Sequence, residues 1–233
     1  MALILHIETS TEVCSVALSR DGDILFSKVE KEGPSHAVLI GPFIDEALKV
    51  AETAGLKLDA VSVSSGPGSY TGLRIGVSFA KGICFALRIP LIAIPTIELL
   101  ADMCIRIVGF PENALIRPVL DARRMEVYTG LFSIDGSCIE PVNALVVNED
   151  SFNKELNEGI LYFAGNGAQK LKKVINSENA RFIEDMSPLA EAMMPLAEKA
   201  FSESRFVNVA YFEPFYLKEF IATVSKKNIL TVN

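Results

Sequence analysis

One order of elements occurs twice along the 233 residues, and this repeat limits the fold more than any single motif does. Residues 2–8 form an apolar run that ends in Glu8, and Thr9-Ser10-Thr11 turns the chain. Residues 13–20 alternate as a second strand, Asp21-Gly22 is a strong hairpin signal, and 23–31 read as the return strand. Gly33-Pro34 breaks the pattern, and Ser35 stands where a cap would open a helix over 36–54. A strand over 59–65, a helix over 71–87, a short strand at 91–94 and a helix opened by Pro95-Thr96 complete the first half. The second half repeats the plan. Residues 115–120 lead to Asp121, 125–134 form a strand, Asp135-Gly136 turns it, and 138–147 return. A helix near 149–156, a strand over 160–164 and a helix from Gly165-Asn166-Gly167 to about residue 175 follow, and a proline-punctuated helix over 187–204 closes the pattern. Asp21 follows Glu8 by 13 positions and Asp135 follows Asp121 by 14. The expectation is two related α/β subdomains, each with a mixed sheet, over 1–104 and 105–218, with a tail over 219–233.

The most distinctive stretch joins the strand at 59–65 to the helix at 71–87 through Gly66-Pro67-Gly68-Ser69-Tyr70-Thr71-Gly72. A strand, a glycine turn and a helix N-terminus together make a common anion cradle, because free N–H groups and the helix dipole face the turn. The spacing matches neither standard nucleotide loop. No Gly-Lys-Ser/Thr follows, and Gly66 and Gly68 are followed by glycine at 72 rather than 71. Arg74 is the first cation and already lies in the helix. Gly165-Asn166-Gly167 reads either as a remnant of an adenosine loop or as an ordinary strand-to-helix turn.

A net charge of −7 argues against an independent grip on RNA or DNA, which needs concentrated Lys and Arg. Cys14, Cys84, Cys104 and Cys138 are scattered with no C-x-x-C. Without a basic, cleavable leader at residues 1–8, that pattern points to reduced thiols and a cytoplasmic protein, and no apolar run is long enough to span a bilayer. Of the two histidines, His6 reads as a satisfied core residue, and His36 has Ile40 where a helical metal pair needs a second histidine. No nucleophile or metal centre is nominated.

Two helices are more apolar than one sheet requires. On the first, Leu39, Ile40, Phe43, Ile44, Ala47, Leu48, Val50, Ala51 and Ala54 cover about half the circumference, against a stripe of roughly 100° for a helix lying on a sheet. On the second, Leu73, Ile75, Val77, Phe79, Ile83, Cys84, Phe85 and Leu87 point nearly all round, while Arg74, Lys81 and Arg88 make one narrow charged stripe. Gly72, Gly76 and Gly82 lower helix propensity but let another backbone come close. The expectation is a partner-binding surface on these helices, carried by His36, Leu39, Ile40, Phe43, Ala47, Val50, Leu73, Gly76, Val77, Ala80, Ile83 and Cys84.

A duplicated β-β-β-α-β-α plan with an acid ending the first strand of each half resembles the actin/sugar kinase/Hsp70 superfamily. That resemblance implies a cleft in which the turns grip phosphates and the acids organise Mg2+. Here the matching residues are Glu8, Thr9 and Ser10 in the first half, Gly66, Gly68 and Ser69 in the glycine turn, and Asp121 and Arg123 in the second half. They form a vestigial nucleotide or anion cleft as the second candidate site. The alternative is that each acid simply caps its own turn. More closely, the chain resembles the TsaB (YeaZ) family, non-catalytic paralogues of the glycoprotease-like TsaD. The resemblance rests on Glu8-Thr9-Ser10-Thr11, His36, the run from Ser65 to Gly76, Asp121-Ala-Arg-Arg-Met-Glu-Val-Tyr128 and Pro214-Phe-Tyr-Leu-Lys218. Glu8 stands where the family often has Asp, and Tyr70 where it often has Phe.

The resemblance implies a non-catalytic subunit that heterodimerises with TsaD through the first two helices, is joined by the ATPase TsaE, and self-associates when alone. The implied process is installation of threonylcarbamoyl on the adenosine next to the anticodon of ANN-reading tRNAs. Contact with tRNA would come only through the complex, with no membrane role and no cofactor beyond a weakly held nucleotide at the partner interface. The competing expectation is an active ATP-dependent kinase or ATPase of the same fold that uses Glu8 and Asp121 with Mg-ATP.

Overall fold

The structure is a computed structural model that describes residues 2–31, 36–107 and 109–217. The expected cap at Ser35 and the tail over 219–233 lie outside the described residues. The first half contains β1 (Leu3–Glu8), β2 (Cys14–Arg20), β3 (Asp23–Glu30), α1 (His36–Thr53), β4 (Ala60–Gly66), α2 (Tyr70–Leu87), β5 (Leu91–Pro95) and α3 (Thr96–Ile107). The second contains β6 (Leu115–Asp121), β7 (Glu126–Ser133), β8 (Cys138–Val146), α4 (Asn153–Glu158), β9 (Leu161–Ala164), α5 (Ala168–Leu171), β10 (Ala180–Ile183) and α6 (Met194–Ser202).

The two sheets share one topology. The first runs β3-β2-β1-β4-β5 and the second β8-β7-β6-β9-β10. In each, the first three strands are antiparallel hairpins, and the last two join in parallel. This is the duplicated actin/sugar kinase/Hsp70 plan. The repeat extends further than the sequence pattern suggested, because β10 is the counterpart of β5. Its four residues Ala-Arg-Phe-Ile are too short and mixed to show a period, and parallel pairing with β9 makes them a strand.

Three other elements differ from expectation. The helix expected near 149–156 starts at Asn153, because Asn148 and Ser151 hydrogen-bond the preceding backbone into a turn and Phe152 is left-handed at φ 74°. The helix after Gly165-Asn166-Gly167 is a single turn, Ala168–Leu171. Within 187–204, only a 3-10 turn at Glu191–Met193 and α6 are helical.

Helices α1 and α2 cover one face of the first sheet. Ile40, Ile44, Ala47, Val77 and Ala80 pack there on Leu5, Ile7, Val16 and Leu18. Helix α3 is shared: it packs on β4 and β5 of the first sheet and on β6, β7 and β9 of the second. Helix α6 returns to β5 and β1. Val207 then bridges Leu91 at the sheet edge. Phe215 N–H donates to the Ser65 carbonyl at 2.7 Å. The crossing between the sheets falls near the expected residue 105, and α6 and the segment to Phe215, expected with the second half, pack on the first sheet. The chain crosses to the second sheet after α3 and comes back before α6.

Inside the first sheet His6 is fully buried, with Nδ1 2.7 Å from Ser62 Oγ and Nε2 2.7 Å from Ser19 Oγ. Burial pushes its pKa down to about 3, so it is a neutral, satisfied core histidine as the sequence suggests. Cys14, Cys84 and Cys104 are buried and Cys138 is exposed, all as free thiols. Among the described residues, no helix is long and apolar enough to cross a membrane.

The second sheet holds one buried ionic clasp. Arg117 of β6 donates to Glu140 of β8 at 2.5 Å and to Glu155 of α4, and its guanidinium lies over the Phe152 ring, 5.0 Å from the centroid. Burial pulls the Glu155 carboxyl up, but the Arg117 hydrogen bond and charge outweigh it and hold the pKa below the ordinary value. Removing one partner leaves the other charge buried. Arg117→Met is expected to cost about 3 kcal/mol in a denaturant titration, and adding Glu155→Leu should recover most of it. Equal stability of the single variant and the wild type would contradict the clasp.

Candidate functional site

The glycine turn does not stand over an empty cradle. It sits on the turn that follows β1. Ser69 N–H donates to the Ser10 carbonyl at 2.6 Å, and Thr9 Oγ1 donates to the Gly72 carbonyl at 2.8 Å. A Cβ at Gly68 would lie 2.3 Å from Ser10 O, at Gly72 2.0 Å from Thr9 O, and at Gly76 2.3 Å from Thr9 Oγ1. Glycines at every fourth position thus let the face of α2 rest directly on Thr9 and Ser10. Ser69 caps the helix by accepting the Gly72 N–H at 3.2 Å.

Beneath this seat lies Glu8, fully buried. Its Oε1 accepts the Ser10 N–H at 2.5 Å, and Oε2 has no partner among the described residues. The Ser10 and Ser64 hydroxyls lean toward the carboxylate and ease its charge, but neither is aligned well enough for a full hydrogen bond. Desolvation dominates and raises the pKa to about 6.

A cleft of about 1600 Å³ opens between the two sheets, lined by Ser10, Gly68, Ser69, Asp121, Arg123 and Arg124 among others. Of the residues expected there, Glu8, Thr9 and Gly66 do not reach it. Glu8 and Thr9 are sealed under the α2 seat. Gly66 is covered by the Phe215 carbonyl, which would lie 2.6 Å from a Cβ. Asp121 is committed. Its Oδ1 accepts from Arg123 N–H at 2.6 Å and from Lys170 Nζ at 2.7 Å, while its own N–H donates to Asn166 Oδ1 at 2.9 Å. Gly165-Asn166-Gly167 is therefore an ordinary strand-to-helix turn that also ties down Asp121. With one acid walled off and the other ion-paired, the pair does not fit a Mg2+ ion across the cleft, and the metal implied by the superfamily finds no donor set here. Sequence reasoning missed Lys170, which carries the role of turn-lock from 49 positions away. His36 faces the cleft, with Nε2 3.3 Å from Val13 O.

The helix surface is also corrected. Ile40, Phe43, Ala47, Leu73, Gly76, Val77, Ala80 and Cys84 are buried against their own sheet or seat. Only His36, Leu39, Val50 and Ile83 of the expected set keep partial exposure. The outward face of the pair is made instead by Val38, Pro42, Ile75, Phe79, Gly82, Phe85 and Ala86. A Cβ on Gly82 would meet nothing within 4 Å. The helical wheel held the signal for this: the glycines at 68, 72 and 76 mark one face, and Phe79 and Gly82 fall off it. The charged stripe is used internally. Lys81 Nζ donates to the carbonyls of Ala210 and Phe212, and Arg74 to Tyr70 Oη.

A carboxyl whose pKa rises from 4.5 to about 6 on folding stabilises the native state most below pH 4.5, and that contribution is lost as pH rises through 6. The difference corresponds to about 2 kcal/mol. Glu8→Gln is therefore expected to gain about 2 kcal/mol over the wild type at pH 8 relative to pH 4, read from denaturant midpoints at each pH. An offset between the two proteins that does not change with pH would contradict the buried-charge account.

A family model described as "TsaD: tRNA N6-adenosine threonylcarbamoyltransferase" matches residues 30–225. The tRNA threonylcarbamoyladenosine biosynthesis protein TsaB of Escherichia coli K12 is 31% identical over 229 residues, covering 94% of this chain and 96% of that protein. The protein of the same description from Bacillus subtilis 168 is 33% identical over 176 residues, 74% of each chain. The solved structure of YeaZ from Pseudomonas aeruginosa superposes with a TM-score of 0.77 at 28% identity, over 93% of this chain and 100% of that one. Taken with the duplicated sheets and the glycine seat, these likenesses place the chain in the TsaB (YeaZ) family.

Proposed function

We infer that this chain serves tRNA threonylcarbamoyladenosine biosynthesis as a non-catalytic subunit that pairs with a TsaD-type transferase, with a TsaE-type ATPase joining the pair. The carrying observation is the outward face of α1 and α2. Phe85 is 82% exposed, Val38 59% and Phe79 37%, and no charged side chain lies between Ile75 and Phe79. Ser78, Gly82 and Ala86, all exposed, recur every fourth residue beside these bulky side chains. Such a surface suits close packing against another helix pair, and aromatic anchors beside small residues are typical of strong contact points. In the absence of the transferase, the same face pairs with a second copy.

Two observations support a role without chemistry of its own. Glu8 is sealed from the cleft and Asp121 is ion-paired with Lys170, so the Mg-ATP reading lacks a pair of acids facing each other across the cleft. The tRNA contact therefore belongs to the assembled complex.

Phe79→Arg or Gly82→Arg should weaken pairing with the transferase by more than about a hundredfold, measured by analytical ultracentrifugation. For Gly82→Arg the melting temperature of the isolated chain should move by only a few degrees, because a Cβ there meets nothing within 4 Å, whereas Phe79→Arg should move it further, because the Phe79 ring lies against Gly41 of α1. Ala80→Arg is the control, since it places a charge in a fully buried position and should unfold the chain. Intact pairing in both outward variants would relocate the interface. Reconstituted tRNA modification that proceeds equally well without this chain would reject the function.

A further inference from the structure

The turn after β6 is built in a way that the partner reading does not use. Arg123 and Arg124 are both left-handed, at φ 66° and 47°. Two consecutive non-glycine residues in that region cost free energy and persist only where their surroundings impose it. The surroundings here are polar bonds to the turn itself. Asp121 Oδ1 accepts the Arg123 N–H at 2.6 Å, and Lys170 Nζ reaches Asp121 Oδ1 at 2.7 Å, Arg124 O at 3.0 Å and Glu126 O at 2.5 Å. The result is a rigid backbone with two exposed arginines on the cleft. Neither guanidinium has a partner among the described residues.

Across the same cleft, Tyr70 and Tyr216 pack with ring centroids 4.7 Å apart, and the Arg74 guanidinium lies 5.5 Å from the Tyr70 centroid. Exposed arginines and an aromatic pair lining one cleft are a combination that suits single-stranded RNA, with phosphates on the cations and bases on the rings. The charge inside the cleft selects among phosphate ligands. Besides Asp121, the residues Glu12, Glu126, Glu184 and Asp185 add carboxylates to its lining, and Lys31 is the one further lysine or arginine among the lining residues. A free triphosphate would bring several negative charges among those acids, whereas a phosphodiester brings one per nucleotide and meets the exposed arginines first.

We propose that Arg123 and Arg124, held by the Asp121–Lys170 lock, contact the phosphodiester backbone of the RNA substrate in the assembled complex. This rests on the function inferred above and adds a direct RNA contact to it. Lys170 and Asp121 are positioning residues. The net charge of −7 is consistent with the contact being secondary to a grip supplied by the transferase.

The test is filter binding of an ANN-reading tRNA transcript to the purified complex of this chain with the transferase, between about 50 and 200 mM salt. Arg123→Glu/Arg124→Glu should weaken binding on the order of tenfold at the lower salt and flatten the log–log salt slope by about 1.5. Arg123→Lys/Arg124→Lys should keep the slope. Both positions are exposed, so the variants are expected to fold. An unchanged affinity and slope in the charge-reversed variant would overturn the RNA contact. Loss of pairing with the transferase would also overturn it, by assigning the arginines to the protein interface. So would calorimetric binding of ATP to the isolated chain that the reversal abolishes, by making the cleft a nucleotide pocket. Failure of the wild-type chain to pair with the transferase at all would instead defeat the function inferred above, so the two failures are told apart.

Discussion

The rest of the structure depends on the contact between α2 and the Thr9-Ser10 turn. Three glycines bring the helix backbone against that turn at distances no side chain permits, and two hydrogen bonds close the contact at 2.6 and 2.8 Å. The seat fixes the rotation of α2 about its axis. Leu73, Val77, Ala80 and Cys84 then face the sheet, and Phe79, Gly82 and Ala86 face away. Burial of the inner row stabilises the first sheet by the ordinary hydrophobic amount, about 1.5–3 kcal/mol for each large side chain. The outer row contributes little to the isolated chain beyond the Phe79 ring against Gly41 of α1, and its apolar character suits the partner proposed above. The seat also explains the fate of Glu8. Resting a helix on the turn closes the water-filled space that an acid at the end of β1 would otherwise use, and leaves a carboxylate with one oxygen unpartnered.

The second half solves the same position differently. Asp121 stays at the surface, but its Oδ1 accepts from Lys170 and the Arg123 N–H, and its own N–H donates to Asn166, which makes it a brace for the following turn. One duplicated plan therefore yields two acids in equivalent places with different tasks, one buried under a helix seat and one locking a cationic turn. Neither is left to organise a metal. The shared helix α3 and the returning α6 join the halves through a common core that includes Ile4, Ile94, Leu100, Ile116 and Phe132.

Much of this was legible in the residues. Paired Asp-Gly hairpins and strand-ending acids revealed the duplication, because turn chemistry and the order of elements are local properties of the chain. The burial of His6 is legible from its apolar strand, whereas its partners Ser19 and Ser62 are not. What the residues did not show depends on contacts distant in sequence. Gly72 and Gly76 suggest the approach of a partner's backbone, but the backbone they admit is the chain's own, more than 60 positions away. That one difference turns the expected partner surface inward, since the wheel of α2 is apolar on every side and only the seat decides which side is which. Lys170 went unnoticed because a lone surface lysine carries no pattern until Asp121 is beside it. The strand β10 and the return of α6 likewise come from pairing and packing across the molecule.

The rotation of α2 set by the seat is the central claim, and side-chain footprinting tests it most directly. Hydroxyl radicals would be applied to the chain alone and to its complex with a TsaD-type transferase. The account predicts that Phe79 and Phe85 are modified in the chain diluted until it is monomeric and protected in the complex, while Phe43, Leu73 and Val77 resist modification in both. Phe79 and Phe85 remaining equally reactive in the complex, or Leu73 and Val77 reacting in the folded isolated chain, would contradict it.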